Sequence, residues 1–186
     1  MSKREIYTHT DLEALPPNVV GELIDGMLYA SPRPAQRQAM ASGSVFGDLR
    51  SPFQHGRGGP GGWVFYVEPE LHLGDNALVP DVAGWRAERA PERGVVAFET
   101  TPDWLCEVLS PSTAKLDRSV KLAVYARERV PFVWFVDPIA ETLEVLQLDG
   151  PTYRVAQVFG GDARVRARPF DEVEIDLVGL WTGQPR

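Results

Sequence analysis

Trp104-Leu105-Cys106-Glu107-Val108-Leu109-Ser110-Pro111-Ser112-Thr113 is the stretch on which the reading of this chain turns. Its first six residues are apolar except for Glu107, and the run has the length and composition of a buried strand. Ser110-Pro111-Ser112-Thr113 then supplies residues that cap a helix, so a helix is expected from about Ala114 to Arg129. A single carboxylate inside an apolar strand is costly without a partner. Glu107 therefore marks a place where something must meet it.

Working downstream, Phe132–Val136 is a short, continuously apolar run, as expected of a strand buried on both faces, and Pro138 closes it. Thr142–Leu148, Tyr153–Phe159 and Val173–Leu177 read as further antiparallel strands, with turns at Asp149-Gly150 and Gly160-Gly161. Upstream, Trp63–Leu73 and Leu78–Trp85 read as two strands around the turn Gly74-Asp75-Asn76. Pro80 within the second implies an edge position or a bulge. Before them, Ala39, Ser42, Phe46, Leu49 and Phe53 recur at helical spacing, giving a helix from about Ala35 to Leu49 that Ser51-Pro52 ends. Near the N-terminus, Thr8 to Asp11 resembles a capping box opening a short helix, and Asp25-Gly26 between apolar runs signals a hairpin. The order from Ala35 is helix, three strands, helix, strand, then a β extension. That is one α/β (α+β) domain over residues 1–186 with a mixed sheet.

Composition agrees. The chain has 186 residues, with 44% hydrophobic and 24% charged, which excludes a disordered, collagen-like or membrane-spanning protein. One cysteine, Cys106, excludes an intramolecular disulfide and a cysteine-based zinc site. With no secretory leader in the opening residues, a cytoplasmic location is expected. The net charge is −7, and residues 61–110 carry nine acidic against three basic groups. Phosphate backbones are bound mostly through Lys and Arg, so a nucleic-acid partner would need a local basic face or metal ions. The glycine loop at 56–62 lacks the Gly-Lys-Ser/Thr ending of a phosphate loop, and no G-x-S-x-G elbow occurs. The five tryptophans could stack bases, although their apolar settings favour the core.

Asp81 and Glu107 each stand in an otherwise apolar strand. If the two strands are neighbours, the carboxylates converge. They then need a hard divalent cation, a shared proton or an arginine between them. Asp117, Lys121 and Tyr125 follow at intervals of four, a stripe on one helix face beside Val120 and Val124. Lys121 could reach the carboxylates as a point charge, or simply pair with Asp117 in solvent.

The runs Glu22-Leu23-Ile24-Asp25-Gly26, Val79-Pro80-Asp81-Val82, Cys106 to Thr113, Asp117 to Tyr125 and Trp134 to Pro138 together resemble the Uma-two restriction endonucleases, a branch of the PD-(D/E)XK nuclease superfamily. The resemblance runs from about Thr8 to Trp181. It implies a restriction-endonuclease-like core and a Mg²⁺-dependent (Mn²⁺ possible) endonuclease. In that reading Asp81 and Glu107 are metal ligands, and the Val108 carbonyl is a third oxygen. The superfamily lysine usually lies two residues after the second acid, where this chain has Leu109; the family supplies it from the following helix, here Lys121. Asp117 and Tyr125 match recurrent positions of that helix, and Glu22 and Glu70 are further acids that could join the site. Members often carry a histidine in the helix after the first hairpin, where this chain reads Ala35-Gln36-Arg37-Gln38-Ala39. The expected partner is nucleic acid, DNA foremost, and the expected assembly a homodimer. The alternative is a weak or inactive binding module on the nuclease fold.

Overall fold

The structure is a computed structural model that describes residues 6–183. Two sheets organise it. The larger has six strands: β3 (Trp63–Val67), β6 (Val82–Arg86), β7 (Trp104–Val108), β8 (Phe132–Asp137), β9 (Thr142–Asp149) and β10 (Thr152–Gly160), in the order β10-β9-β8-β7-β6-β3. Only β7 and β8 run parallel, so the sheet is mixed, and the parallel pair lies at its centre. The smaller sheet joins β1 (Val19–Ile24), β2 (Met27–Pro32), β4 (Leu71–Leu73) and β5 (Asn76–Leu78) in the order β2-β1-β5-β4. A two-stranded pair, β11 (Arg164–Val165) and β12 (Ile175–Asp176), completes the β structure.

The two central upstream runs are therefore not single strands. Each is divided between the sheets, at Glu68-Pro69 and at Val79-Pro80-Asp81. Proline cannot donate to a ladder, so it ends pairing in one sheet and lets the chain cross to the other. Pro80 marks a change of sheet and not an edge or a bulge.

Side chains alternate across the large sheet. Trp104, Cys106 and Val108 of β7 face one apolar cluster with Trp134 and Val136 of β8. That cluster is covered by α2 (Gln36–Leu49) through Ala41, Val45 and Leu49, and by α5 (Leu177–Thr182). Phe170 is its hub, in ring contact with Phe53, Trp63, Phe65, Trp104 and Trp134. Leu105 and Leu109 face the opposite cluster with Val133, Phe135, Val124 and Tyr125. This second face is covered by the small sheet and by the helix after β7. All five tryptophans are buried, so none is a platform for bases.

Two helical expectations and one strand expectation are modified. The first long helix continues past Ser51-Pro52 as a wider π-helical turn, Arg50–Gln54, which tolerates the missing N–H of Pro52. Its buried face is Ala41, Ser42, Val45 and Leu49, with Ala39 exposed. Val173–Leu177 contributes only the short β12 and the first residue of α5. The helix after β7 is present but compound: α3 (Ala114–Leu116), a π-helical turn at Asp117–Lys121, then α4 (Leu122–Arg127). At the N-terminus, α1 (His9–Glu13) opens on the expected capping box, Asp11 accepting from the Thr8 N–H at 2.7 Å. The β1–β2 turn has positive φ at both Asp25 and Gly26 (49° and 73°), the pair of values an Asp-Gly hairpin turn requires.

Candidate functional site

A cleft opens where the small sheet, the C-terminal end of β7, the start of α2 and the π-helical turn meet. Its walls include Glu22, Glu68, Asp81, Glu107, Asp117 and Lys121, together with Gln38, Ser110 and Thr113.

The register explains how two acids come together. β6 and β7 are antiparallel neighbours with Val82 opposite Cys106. Asp81, one step before β6, therefore falls beside Glu107. Glu107 shares the face of Leu105 and Leu109, which is the face that α4 covers. Asp81 is tied directly to β7, its Oδ2 accepting the Val108 N–H at 2.7 Å.

Lys121 is not a surface residue. Its side chain is only 3% exposed, and its Nζ lies 2.8 Å from Glu107 Oε1, 2.9 Å from Glu22 Oε1 and 3.5 Å from Asp117 Oδ1. The π-helical turn places Asp117 and Lys121 on the cleft side together, both buried. Tyr125, one turn later and fully buried, donates its hydroxyl to Glu107 Oε1 at 2.6 Å. Leu109 is buried in the apolar cluster behind the site, so the position two residues after Glu107 contributes no charge.

The charges do not balance. One ammonium faces the carboxylates of Glu22, Glu107 and Asp117, and Asp81 lies close by. Burial pushes Asp81 up to about 6 despite the Val108 hydrogen bond and the attraction of Lys121. Burial also pushes Glu107 well above the usual carboxylate range, Lys121 opposing and Asp117, Asp81 and Glu22 reinforcing. Asp117 is raised in the same way. Burial alone would pull Lys121 down, but Glu107, Glu22 and Asp117 hold it well above the ordinary lysine value, so it remains an ammonium. Burial and the adjacent Glu107 drive the Tyr125 hydroxyl well up, which keeps it a neutral donor.

These residues suit a hard cation. Among the described residues no three His, Cys, Asp or Glu side chains form a ready-made metal cage. Asp81, Glu107 and the Val108 carbonyl offer a few oxygens beside an open cleft, the donor set of an ion such as Mg²⁺ that keeps several waters. A cation there would also offset the surplus of buried negative charge.

Glu70 stays outside the cleft and holds His72 Nε2 at 2.6 Å. Glu68, which the sequence pattern does not single out, lines the cleft instead. It stands at the first sheet crossing with a left-handed φ of 46°, its N–H donating to the Asp81 carbonyl at 2.9 Å. An acid directly before a strand-ending proline was the available signal. Gln38 is likewise not singled out. Its Oε1 accepts the Ala35 N–H at 3.0 Å, and its Nε2 is 3.5 Å from the Val108 carbonyl oxygen. It lies in the stretch where a histidine was expected from the resemblance.

Comparison with known proteins agrees with this architecture. A crystal structure of a putative nuclease belonging to DUF820 from Anabaena variabilis ATCC 29413 superposes with a TM-score of 0.76 at 21% identity, covering 94% of this chain and 97% of that one. That likeness establishes the fold. No curated protein matches the chain. The family model Uma2, described as "Putative restriction endonuclease", matches residues 9–178. With nearly the whole chain matched and the helix–three strands–helix–strand core in place, this protein belongs to the Uma2 family.

Proposed function

We propose that the protein is a metal-dependent endonuclease that hydrolyses phosphodiester bonds of nucleic acid, DNA foremost. One observation carries the reading: Asp81, at the entry to β6, and Glu107, on the adjacent β7, open on one cleft into which a helix brings the buried ammonium of Lys121. Family membership supports a nuclease-like activity.

Asp81, Glu107 and the Val108 carbonyl would hold Mg²⁺ or Mn²⁺, which when bound polarises the scissile phosphate and lowers the pKa of an attacking water. The Val108 N–H fixes the Asp81 carboxylate before any ligand arrives. Tyr125 and Lys121 both donate to Glu107 Oε1, which directs the other Glu107 oxygen to the cation. The Lys121 ammonium stabilises negative charge building on the phosphate oxygens in the transition state, or orients the water. Gln38, Ser110 and Thr113 add neutral polar groups to the cleft lining, which bring no repulsion toward a phosphate.

The reading extends to a homodimer in the cytoplasm. Its support is β10, an edge strand that leaves Val155 and Val158 more than half exposed, apolar surface that a second copy would cover. No helix among the described residues is long and apolar enough to cross a membrane.

The test is nicking of supercoiled plasmid with Mg²⁺ or Mn²⁺, compared with Asp81→Ala. Metal-dependent nicking that disappears in the variant supports the enzyme. Mn²⁺ binding without nicking of DNA or RNA by the wild type would leave a binding module on the nuclease fold.

A further inference from the structure

We infer that Glu22 is the positioning residue of this site: one of its carboxylate oxygens locks the Asp81 segment and the Lys121 ammonium to each other, without itself holding the metal. The inference rests on the nuclease reading above.

Glu22 is 5% exposed and comes from β1, in the smaller sheet, whereas Asp81 and Glu107 belong to the larger one. Its Oε1 accepts from two donors, the Val79 N–H at 2.8 Å and Lys121 Nζ at 2.9 Å. The reason lies in the strand pairing. β1 meets β5 at Leu23 and Ala77. Two residues later the chain leaves the small sheet, and the Glu22 side chain takes the Val79 N–H at the point of departure. Pro80 follows with its φ fixed by the ring, so pinning Val79 also sets the direction in which Asp81 leaves. The far end of Asp81 is held by the Val108 N–H. Lys121 reaches the same Glu22 oxygen from the π-helical turn. A single atom thus sets the spacing between the first acid and the lysine, two groups on elements with no direct bond to each other.

The chemistry of that oxygen separates Glu22 from the ligands. Its two donors come from separate elements, the Val79 backbone at the sheet crossing and Lys121 on the π-helical turn, whereas both donors on Glu107 Oε1 come from the one helix after β7. Asp81, by contrast, spends one oxygen on the Val108 N–H and ties no second element. Glu22 therefore acts through its neighbours, and its loss should slow turnover more than it weakens metal binding.

Glu22→Gln keeps a carbonyl oxygen for the Val79 N–H and removes the charge that anchors Lys121. Mn²⁺ affinity is read by electron paramagnetic resonance, and plasmid nicking is read at saturating Mn²⁺. The expected pattern is a Mn²⁺ Kd and a KM each within about threefold of wild type, with kcat lower by about tenfold or more. In a Lys121→Met background, Glu22→Gln should cost nothing further, because its effect passes through Lys121. A Mn²⁺ Kd weakened by about tenfold or more would make Glu22 a ligand and overturn the inference. So would wild-type kcat in the folded variant, or losses that multiply in the double variant. If Glu22→Gln does not fold, Glu22→Asp keeps the charge, withdraws the oxygen by one methylene, and should show the same pattern. If the wild type binds Mn²⁺ but cleaves nothing, the nuclease reading fails by itself. The tie is then read from NMR: the Asp81 amide and Lys121 side-chain resonances both move in Glu22→Gln if the tie exists, and their constancy refutes it.

Discussion

Replacing Lys121 with Met tests whether the lysine holds a buried cluster together. The side chains are similar in length, so packing is kept while the charge is lost. The ammonium lies within 3.5 Å of three carboxylates that are each 7% exposed or less. Removing one partner of a buried ion pair typically costs about 3–5 kcal/mol, because the remaining charge has neither solvent nor partner. Here three carboxylates lose one shared cation, so about 4 kcal/mol is expected at pH 8. At about 2–4 °C per kcal/mol for a chain of this size, that lowers Tm by roughly 8–16 °C. The sign of the pH dependence follows from the raised carboxyls. Glu107 and Asp117 already hold their protons above the ordinary range. Without Lys121 they are raised further, so the stability present at low pH is lost as pH rises through their folded-state values. The deficit of Lys121→Met should therefore be smaller at pH 5.5 than at pH 8, because protonation of the raised carboxyls relieves the unpaired charge. Circular-dichroism melts at pH 5.5 and 8, without divalent metal, measure both quantities. A Tm within about 2 °C of wild type at pH 8 would correspond to less than about 1 kcal/mol, the range of a surface pair, and would refute the buried cluster.

Asp81→Asn should stabilise the metal-free protein at pH 8. The amide oxygen still accepts the Val108 N–H, while the carboxylate, pushed up to about 6, no longer has to ionise. The full shift would correspond to about 3 kcal/mol, discounted to about 1–2 kcal/mol because the group opens on the cleft. The gain should develop between about pH 4 and 6 and be absent below it, and Mg²⁺ should raise the Tm of the wild type only; melts across that range decide. Tyr125→Phe removes a buried donor from Glu107 and should cost about 1.5–3 kcal/mol in a urea titration; no loss would mean the 2.6 Å bond is not made. Glu70→Gln should leave Mn²⁺ affinity and nicking unchanged, and Glu68→Gln should reduce nicking; the reverse result would place Glu70, not Glu68, in the cleft.

The elements that carry the site were legible because their chemistry is local. One acid in the apolar run of β7, followed directly by helix-capping residues, is enough to mark Glu107. The intervals of four from Asp117 put Lys121 and Tyr125 on one face. Spacing alone did not separate a solvent-exposed lysine from a buried one. That depended on Glu22, which lies 99 positions earlier and in another sheet. Glu68 was missed because Trp63–Leu73 reads as one strand until the second sheet is known. Once Pro69 is seen as a crossing point, the acid before it falls at the mouth of the cleft. α5 was obscured because Leu177–Thr182 is too short to show helical periodicity. The continuation of α2 through Pro52 was hidden because Ser-Pro ordinarily stops a helix, and only the wider turn accommodates it.

The most direct test of the central claim, that this cleft is a metal site formed by two strands, is an anomalous difference map from a crystal soaked in Mn²⁺. One strong peak is expected within coordination distance of Asp81, Glu107 and the Val108 carbonyl, with Lys121 beside it and Glu70 remote. A map with no peak in the cleft at saturating Mn²⁺, or with its strong peak on other residues, would contradict it.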